Sequence, residues 1–212
     1  MKIEKNKKVS GFDRYWGIVR NGLFLLGLRN RLAKLGIDVA PYYWVQEETE
    51  PCAEPIIKDD ATYTVRYLNQ DELRKVCHLE PGEDYDRMME GVEKGQLIIG
   101  LETSNKIAAY TFVELNDFDF KGRKFKLGPN EAYLLNMWTF HEYRGKNLAP
   151  YLRYQAYQLL REKGINLKYS ITNYFNKSSI KFKNKLNSKH LSLYLCVVLF
   201  KRYTWNFTLR KY

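Results

Sequence analysis

Residues 131–164 constrain this chain more than any other stretch: EAYLLNMWTF, then HEYRGKN, then LAPYLRYQAYQLLREKG. The first ten residues are apolar and aromatic and predict a strand. The last segment places Leu148, Leu152, Ala156, Leu159 and Leu160 on one helical stripe. Pro150 fits the first helical turn, where a missing N–H costs nothing, and Gly164 fits the exit. A strand therefore hands over to a helix through a short loop carrying Arg144, Gly145 and Lys146. The free N–H groups and positive dipole end of a helix start form an anion site. Two cations add charge, and a glycine lets backbone approach a ligand closely. Taken alone, the stretch fits equally a solvated basic turn before an ordinary helix.

The rest of the chain supplies an α/β order around this unit. Leu25, Leu28, Leu32 and Leu35 recur at helical steps and predict an amphipathic or partly buried helix over 11–36, stopped by Gly36. YYWV (42–45) reads as a short strand, and the acidic, proline-containing QEETEPCAEP (46–55) as a linker. A boundary near residue 58 divides an N-terminal extension, 1–58, from a main domain, 59–212. Strands are expected over 62–68, 96–103, 106–118 and 167–173. Helices are expected over 69–79, 84–95 and 176–186, the first and last capped by Asn69 and Asn176. Residues 120–130 read as a charged loop, and the chain closes on one long strand or two. After residue 58 the order is β-α-α-β-β-β-α-β-α-β-β.

Composition narrows the partners. Lys and Arg outnumber Asp and Glu by 35 to 24, a formal net charge of +11, which favours a polyanionic partner. Nucleic acid is not expected, because the basic and aromatic residues follow no RNA-binding pattern. A phosphate-rich small molecule suits the charge, as does peripheral attachment to an anionic membrane. Cys52, Cys77 and Cys196 form no CxxC, and His78, His141 and His190 share no ligand spacing, so no metal is expected. The run GLFLLGL (22–28) is too short to span a bilayer. These features predict a cytoplasmic protein.

HEYRGKNLAPYL (141–152) resembles motif A of the GNAT acyl-CoA transferases, Arg/Gln-x-x-Gly-x-Gly/Ala. NKSSIKFKNKLNS (176–188) is similar to the Asn-x-x-Ser/Ala segment that this family carries about thirty residues later. The resemblance covers roughly residues 60–212. It implies a GNAT-type mixed, largely antiparallel sheet flanked by helices, here with an N-terminal helical extension. It also implies acetyl-CoA as co-substrate. Arg144, Gly145, Lys146, Leu148 and Ala149 match the pyrophosphate loop, with Asn147 standing where the family has glycine. Asparagine tolerates the left-handed backbone better than other side chains, so the loop survives. Met137, Trp138 and Thr139 match the strand edge that pairs with pantetheine. Asn176 and Ser179 match CoA-contacting positions. Asn176 also reads as a plain helix cap, and Trp138 as core.

By the same resemblance, the family's usual acid, a tyrosine seven residues after the motif asparagine, is Lys183 here. The fifth-strand glutamate of the ribosomal-protein alanine acetyltransferases is Ile171, and the closing Gly-Phe pair is Asn187–Ser188. A histone-type base lies thirteen residues before the motif arginine, and here that residue is Glu131. Tyr203 is the substitute acid, with Tyr174 and Tyr194 as other candidates. The expected activity is N-acetyl transfer to a primary amine. The acceptor is a small molecule such as a nucleotide-linked amino sugar in polysaccharide or lipopolysaccharide assembly. Acetylation of a protein or peptide amine, and a degenerate GNAT that only binds CoA, stand as alternatives.

Overall fold

The computed structural model describes residues 24–79 and 85–212. The N-terminal part of the helix expected over 11–36 lies outside these residues. Its remainder is α1 (Phe24–Lys34), followed by β1 (Ile37–Glu47) and β2 (Thr64–Tyr67). Next come α2 (Gln70–Leu79), α3 (Tyr85–Glu93), β3 (Leu97–Thr103) and β4 (Lys106–Glu114). A hairpin of β5 (Phe118–Phe120) and β6 (Arg123–Phe125) precedes β7 (Glu131–Thr139), a short 3-10 turn (His141–Tyr143) and α4 (Leu148–Glu162). The chain ends with β8 (Leu167–Asn173), α5 (Lys177–Lys185), β9 (Lys189–Leu199) and β10 (Tyr203–Lys211).

Among the described residues, eight strands form one sheet in the order β10-β9-β1-β8-β7-β4-β3-β2, with β5-β6 apart. Every neighbouring pair in the large sheet is antiparallel except β7 and β8. That parallel pair joins only at Glu131–Tyr133 and Leu167–Tyr169. Beyond it the two strands part.

Local chemistry explains most of these elements. Asn69 Oδ1 accepts from the Glu72 N–H at 2.9 Å, and Glu72 Oε2 accepts from the Asn69 N–H at 2.9 Å, a reciprocal cap that starts α2. Ser104 and Asn105 join β3 to β4 with φ of 47° and 60°, the left-handed pair a two-residue hairpin turn needs. The α4 stripe is buried as its spacing requires: Leu148, Leu152, Ala156 and Leu160 are at most 2% exposed. They pack against Leu101, Ala109, Val113 and Leu134 of the sheet. Each fully buried leucine there contributes roughly 1.5–3 kcal/mol. The other sheet face packs Leu73, Met88 and Met89 of the α2–α3 pair on Tyr110 and Phe112.

Three expectations need correction. The short strand at 42–45 is an eleven-residue strand, β1, inserted between β8 and β9. Much of the expected extension therefore lies within the sheet. Its alternation was hard to read because Pro41 interrupts it and both faces carry aromatics. Where a loop was expected over 120–130, Arg123–Phe125 pairs with Phe118–Phe120, which starts just ahead of it, across Lys121–Gly122, whose φ values are 55° and 76°. The leucine stripe of α1 is not core: Leu25, Leu28, Leu32 and Leu35 are 51%, 44%, 39% and 77% exposed. What ties α1 down is Arg29, paired with Asp38 at 2.7 Å. No helix among the described residues is long and apolar enough to cross a membrane.

Candidate active site

The site is built where β7 and β8 diverge. A β-bulge starts the divergence. Leu135 pairs with Phe112 and Trp138 with Tyr110, so Asn136 and Met137 face Thr111 alone. Asn136 takes φ 46°, and Thr111 Oγ1 donates to the Leu135 carbonyl at 3.1 Å across the irregularity. The bulge bends β7 and leaves its second edge without a strand beyond Tyr133.

At the far end of β7, the loop and helix start line a cavity of about 610 Å³. Trp138, Thr139, Arg144, Gly145, Asn147 and Ala149 form one wall, and Lys58, Lys181 and Lys185 add cations. Gly145 has φ +84°, and a Cβ placed there would meet nothing within 4 Å. Space is therefore not what requires glycine; the left-handed backbone and the open approach are. Asn147 sits at φ 65°, ψ 22°, the left-handed conformation expected of it at the glycine position. Its Nδ2 donates to the Ile56 carbonyl at 2.7 Å.

The loop cations are more constrained than a solvated pair. Lys146 Nζ meets Asp59 Oδ2 at 2.6 Å. That bond, with one from the Tyr63 hydroxyl, holds the Asp59 carboxyl down at about 2. Arg144 lies 4.7 Å over the Trp138 ring and donates through Nε to the Thr139 carbonyl at 2.9 Å. The stretch that follows the expected linker, residues 56–59, thus braces the loop, through the Ile56 carbonyl, the Asp59 carboxylate and the Lys58 N–H that bonds the Lys146 carbonyl.

A second cavity, about 290 Å³, occupies the opening between β7 and β8. Leu135, Asn136, Met137, Ile171, Asn176 and Ser179 line it, and Phe182 lines both cavities. Asn176 caps α5 by accepting from the Ser179 N–H at 3.1 Å, as its helix-cap reading expects. Arg153 and Lys183 close the α-helical side.

Those two cations belong to a buried polar cluster not foreseen from the sequence. Glu47, on β1, is fully buried and lies 3.5 Å from Arg153 Nε and 3.3 Å from Lys183 Nζ. The Tyr157 hydroxyl donates to Glu47 Oε2 at 2.5 Å. Lys183 Nζ donates to Ser170 Oγ and Thr172 Oγ1 at 2.5 and 2.6 Å. The β8 alternation puts Lys168, Ser170 and Thr172 on this side together. Burial works against ionisation of Glu47, yet Arg153 and Lys183 hold its carboxyl below the ordinary value. Burial pushes the Lys183 ammonium down to about 8, with Glu47 opposing and Arg153 reinforcing. The signal available in sequence was Lys183 at a position where the family carries tyrosine. Glu47 lay hidden in the supposed linker.

Glu131 opens β7 at the paired end of the strands. Its Oε2 accepts from the Gly128 N–H at 2.8 Å, and the Tyr169 hydroxyl donates to Oε1 at 3.3 Å. Around it Trp44 stacks on Tyr169 with centroids 4.9 Å apart, and Phe118 stacks on Tyr133 at 4.0 Å. Tyr203 is not brought to the site. It starts β10 at the sheet edge, half exposed, with β9 and β1 between it and β8. Tyr194 packs against Tyr42 beneath Arg123, and Tyr174 against Tyr43. Among the described residues, no three His, Cys, Asp or Glu side chains are grouped to hold a metal.

Comparison with known proteins agrees with this fold. A GNAT-family structure from Novosphingobium aromaticivorans superposes with a TM-score of 0.54 at 20% identity, over 77% of this chain and 66% of that one. A GNAT-family acetyltransferase from Colwellia psychrerythraea gives 0.56 at 13%, over 80% and 60%. A fungal multi-domain GH3 β-N-acetylglucosaminidase with a GCN5-related glucosamine N-acetyltransferase region gives 0.58 at 11%, over 82% and 23%. The chain thus spans less than two thirds of each of these structures. No curated protein matches by sequence. The sequence profile of the Acetyltransferase (GNAT) family matches residues 62–187, more than half of the 212. With a bulged strand, a parted β7–β8 pair and the Arg-Gly-Lys loop in their places, the chain belongs to the GNAT acetyltransferase family.

Proposed function

We propose that the protein transfers an acetyl group from acetyl-CoA to a primary amine, with an amino sugar as the acceptor. The observation that carries this is the adjacency of the two cavities, one at the glycine loop and one at the strand opening, which share Phe182 as a lining residue. A pyrophosphate fits the first: Gly145 and residues 147–149 line it at a helix start, Gly145 leaves the approach clear, and lysines rim it, while the Arg144 N–H is taken by the His141 carbonyl. Pantetheine would follow the β7 edge at Met137–Thr139, with Asn176 and Ser179 opposite. The thioester would then reach the bulge at Asn136. The amine attacks the carbonyl carbon, and the thiolate leaves as the amide forms.

An acceptor amine is mostly protonated near neutral pH, so a base is needed, and Glu131 is the assigned one. The Tyr169 hydroxyl, bonded to the Glu131 carboxylate, would pass a proton from the acceptor side. The partly exposed edges of Trp44, Phe118 and Tyr169 beside it would form an apolar wall for a pyranose. A net charge of +11 suits a nucleotide-linked form.

Free-thiol release from acetyl-CoA, measured with glucosamine, a nucleotide-linked amino sugar and a peptide amine, tests the assignment. The sugars should turn over and the peptide should not. Glu131→Gln keeps the shape and removes the basicity. It should lower turnover roughly a hundred- to ten-thousandfold, leave acetyl-CoA affinity unchanged, and recover as rising pH frees the amine. Full turnover at neutral pH would move the base elsewhere. Acetyl-CoA binding without acetylation of any amine would replace the enzyme with a binding module.

A further inference from the structure

The buried cluster beneath the opening carries more cation than anion. Glu47 faces both Arg153 and Lys183, and all three are at most 4% exposed. Lys168 and Arg161 are taken up by Glu48, so they do not balance it. Two of the three ammonium hydrogens of Lys183 are committed, to Ser170 and Thr172. Its contact with Glu47 Oε1 lacks hydrogen-bond geometry, as does that of Arg153 Nε, and Arg153 Nη1 is buried without a partner. Both cations line the 290 Å³ cavity with Asn136, Met137 and Asn176. A buried, partly unpaired cationic wall is costly unless an anion forms against it.

We propose that Lys183 protonates the sulfur that leaves when the thioester is cleaved, using the hydrogen not bound to Ser170 or Thr172. This rests on acetyl-CoA entering the opening as described above. As the amine nitrogen bonds to the carbonyl carbon and the carbon–sulfur bond breaks, the electron pair goes to sulfur. Lys183 gives sulfur its proton, leaving free CoA thiol and a neutral amine. Solvent then returns a proton to Lys183, and the two protons lost as the acceptor ammonium becomes an amide leave through its own base. The reaction releases one proton overall.

An ammonium at about 8 lies close to the ordinary thiol value of about 8.5, so the transfer is nearly balanced in energy. The groups facing Lys183 are Glu47 on β1, Arg153 and Tyr157 on α4, the Ser170 and Thr172 hydroxyls on β8, and His190 on β9. Burial, then the charge of Lys183, keeps the His190 imidazole below its usual value, so it stays neutral at the pH where the lysine titrates.

The test uses CoA itself as the probe and needs no acceptor. Ultraviolet thiolate absorbance of CoA bound to the full chain is followed against pH. In the wild type the thiol should ionise at least about one pH unit below free CoA, as an adjacent cation dictates. Lys183→Met should abolish most of that displacement while calorimetry shows CoA still bound, and Lys183→Arg should retain it. If bound CoA in the wild type ionises as it does in solution, the proposal is overturned, whether or not the variants fold. Equal displacement in the wild type and Lys183→Met would also overturn it. Failure of the wild type to bind CoA would instead refute the acetyl-CoA reading on which it stands.

Discussion

Glu47→Gln isolates the energetics of the buried cluster. The substitution keeps shape and an acceptor for the Tyr157 hydroxyl, but removes the anion shared by Arg153 and Lys183. Breaking a buried ion pair typically costs about 3–5 kcal/mol, because a desolvated charge is left uncompensated. The two cations respond differently. Lys183, already at about 8, can escape by releasing its proton, at a cost near neutral pH of about 1 kcal/mol. Arg153 cannot deprotonate, so it carries most of the penalty. For a chain of this size the midpoint should fall by roughly 6–20 °C, at about 2–4 °C per kcal/mol.

Urea unfolding of wild type and variant between pH 4 and 9 checks the reasoning. Glu47 has a lowered folded-state value, so its contribution is complete above the ordinary 4.5 and is lost as pH falls through the folded value. The variant should lack that acid-side loss. Lys183 has the opposite form of shift for a cation. The folded chain binds fewer protons than the unfolded one between about 8 and 10.5, so stability rises with pH across that window. At pH 9 the lysine is already mostly neutral in the wild type. The Glu47→Gln deficit should therefore be smaller at pH 9 than at pH 6, by about 1 kcal/mol. Glu50→Gln, which removes an exposed partner of Lys189, should leave the midpoint unchanged. A Glu47→Gln protein within about 1 kcal/mol of wild type at pH 7 would refute the account of a charged buried cluster.

Two backbone substitutions probe the binding groove. Gly145→Val forces a β-branched residue to φ +84° and projects a side chain into the groove; calorimetry should show acetyl-CoA affinity lowered roughly ten- to a hundredfold. Normal affinity would remove the loop from the binding site. Asn136→Val opposes the left-handed bulge at φ 46° and should cost about 1–3 kcal/mol in urea unfolding, with Asn136→Gly close to wild type. Equal losses in both would mean that the amide side chain, not the backbone angle, holds the bulge.

The sequence and the structure agree where one short-range rule decides. Helix spacing located the buried face of α4, and Asn69 and Asn176 stand as caps where they were expected. The glycine loop was legible because Gly145 and Asn147 are the residue types that tolerate the left-handed backbone found there. The same rules could not see β1, since nothing local says that its residues will pair with residues 121 and more positions away. Insertion of β1 brings Glu47 under α4. An acidic segment that reads as linker then becomes the counter-charge of two buried cations. Lys183 was noticed only as a departure from the family's tyrosine, because its partners come from β1, α4 and β8.

A departure of that kind has a physical meaning only with its surroundings. A lysine in place of a tyrosine on an exposed helix would be a surface change. Here burial alone would drive the amine neutral, and Glu47 restores part of the charge, leaving a donor poised between the two states. Arg153 fixes the sign of the site, since a neutral Lys183 beside Glu47 would otherwise leave it anionic. Lys183 and the β1 carboxylate are therefore one arrangement. Their coupling is measurable: in a double-mutant cycle, Lys183→Met should recover part of the stability lost in Glu47→Gln. Strict additivity of the two would show that they act separately.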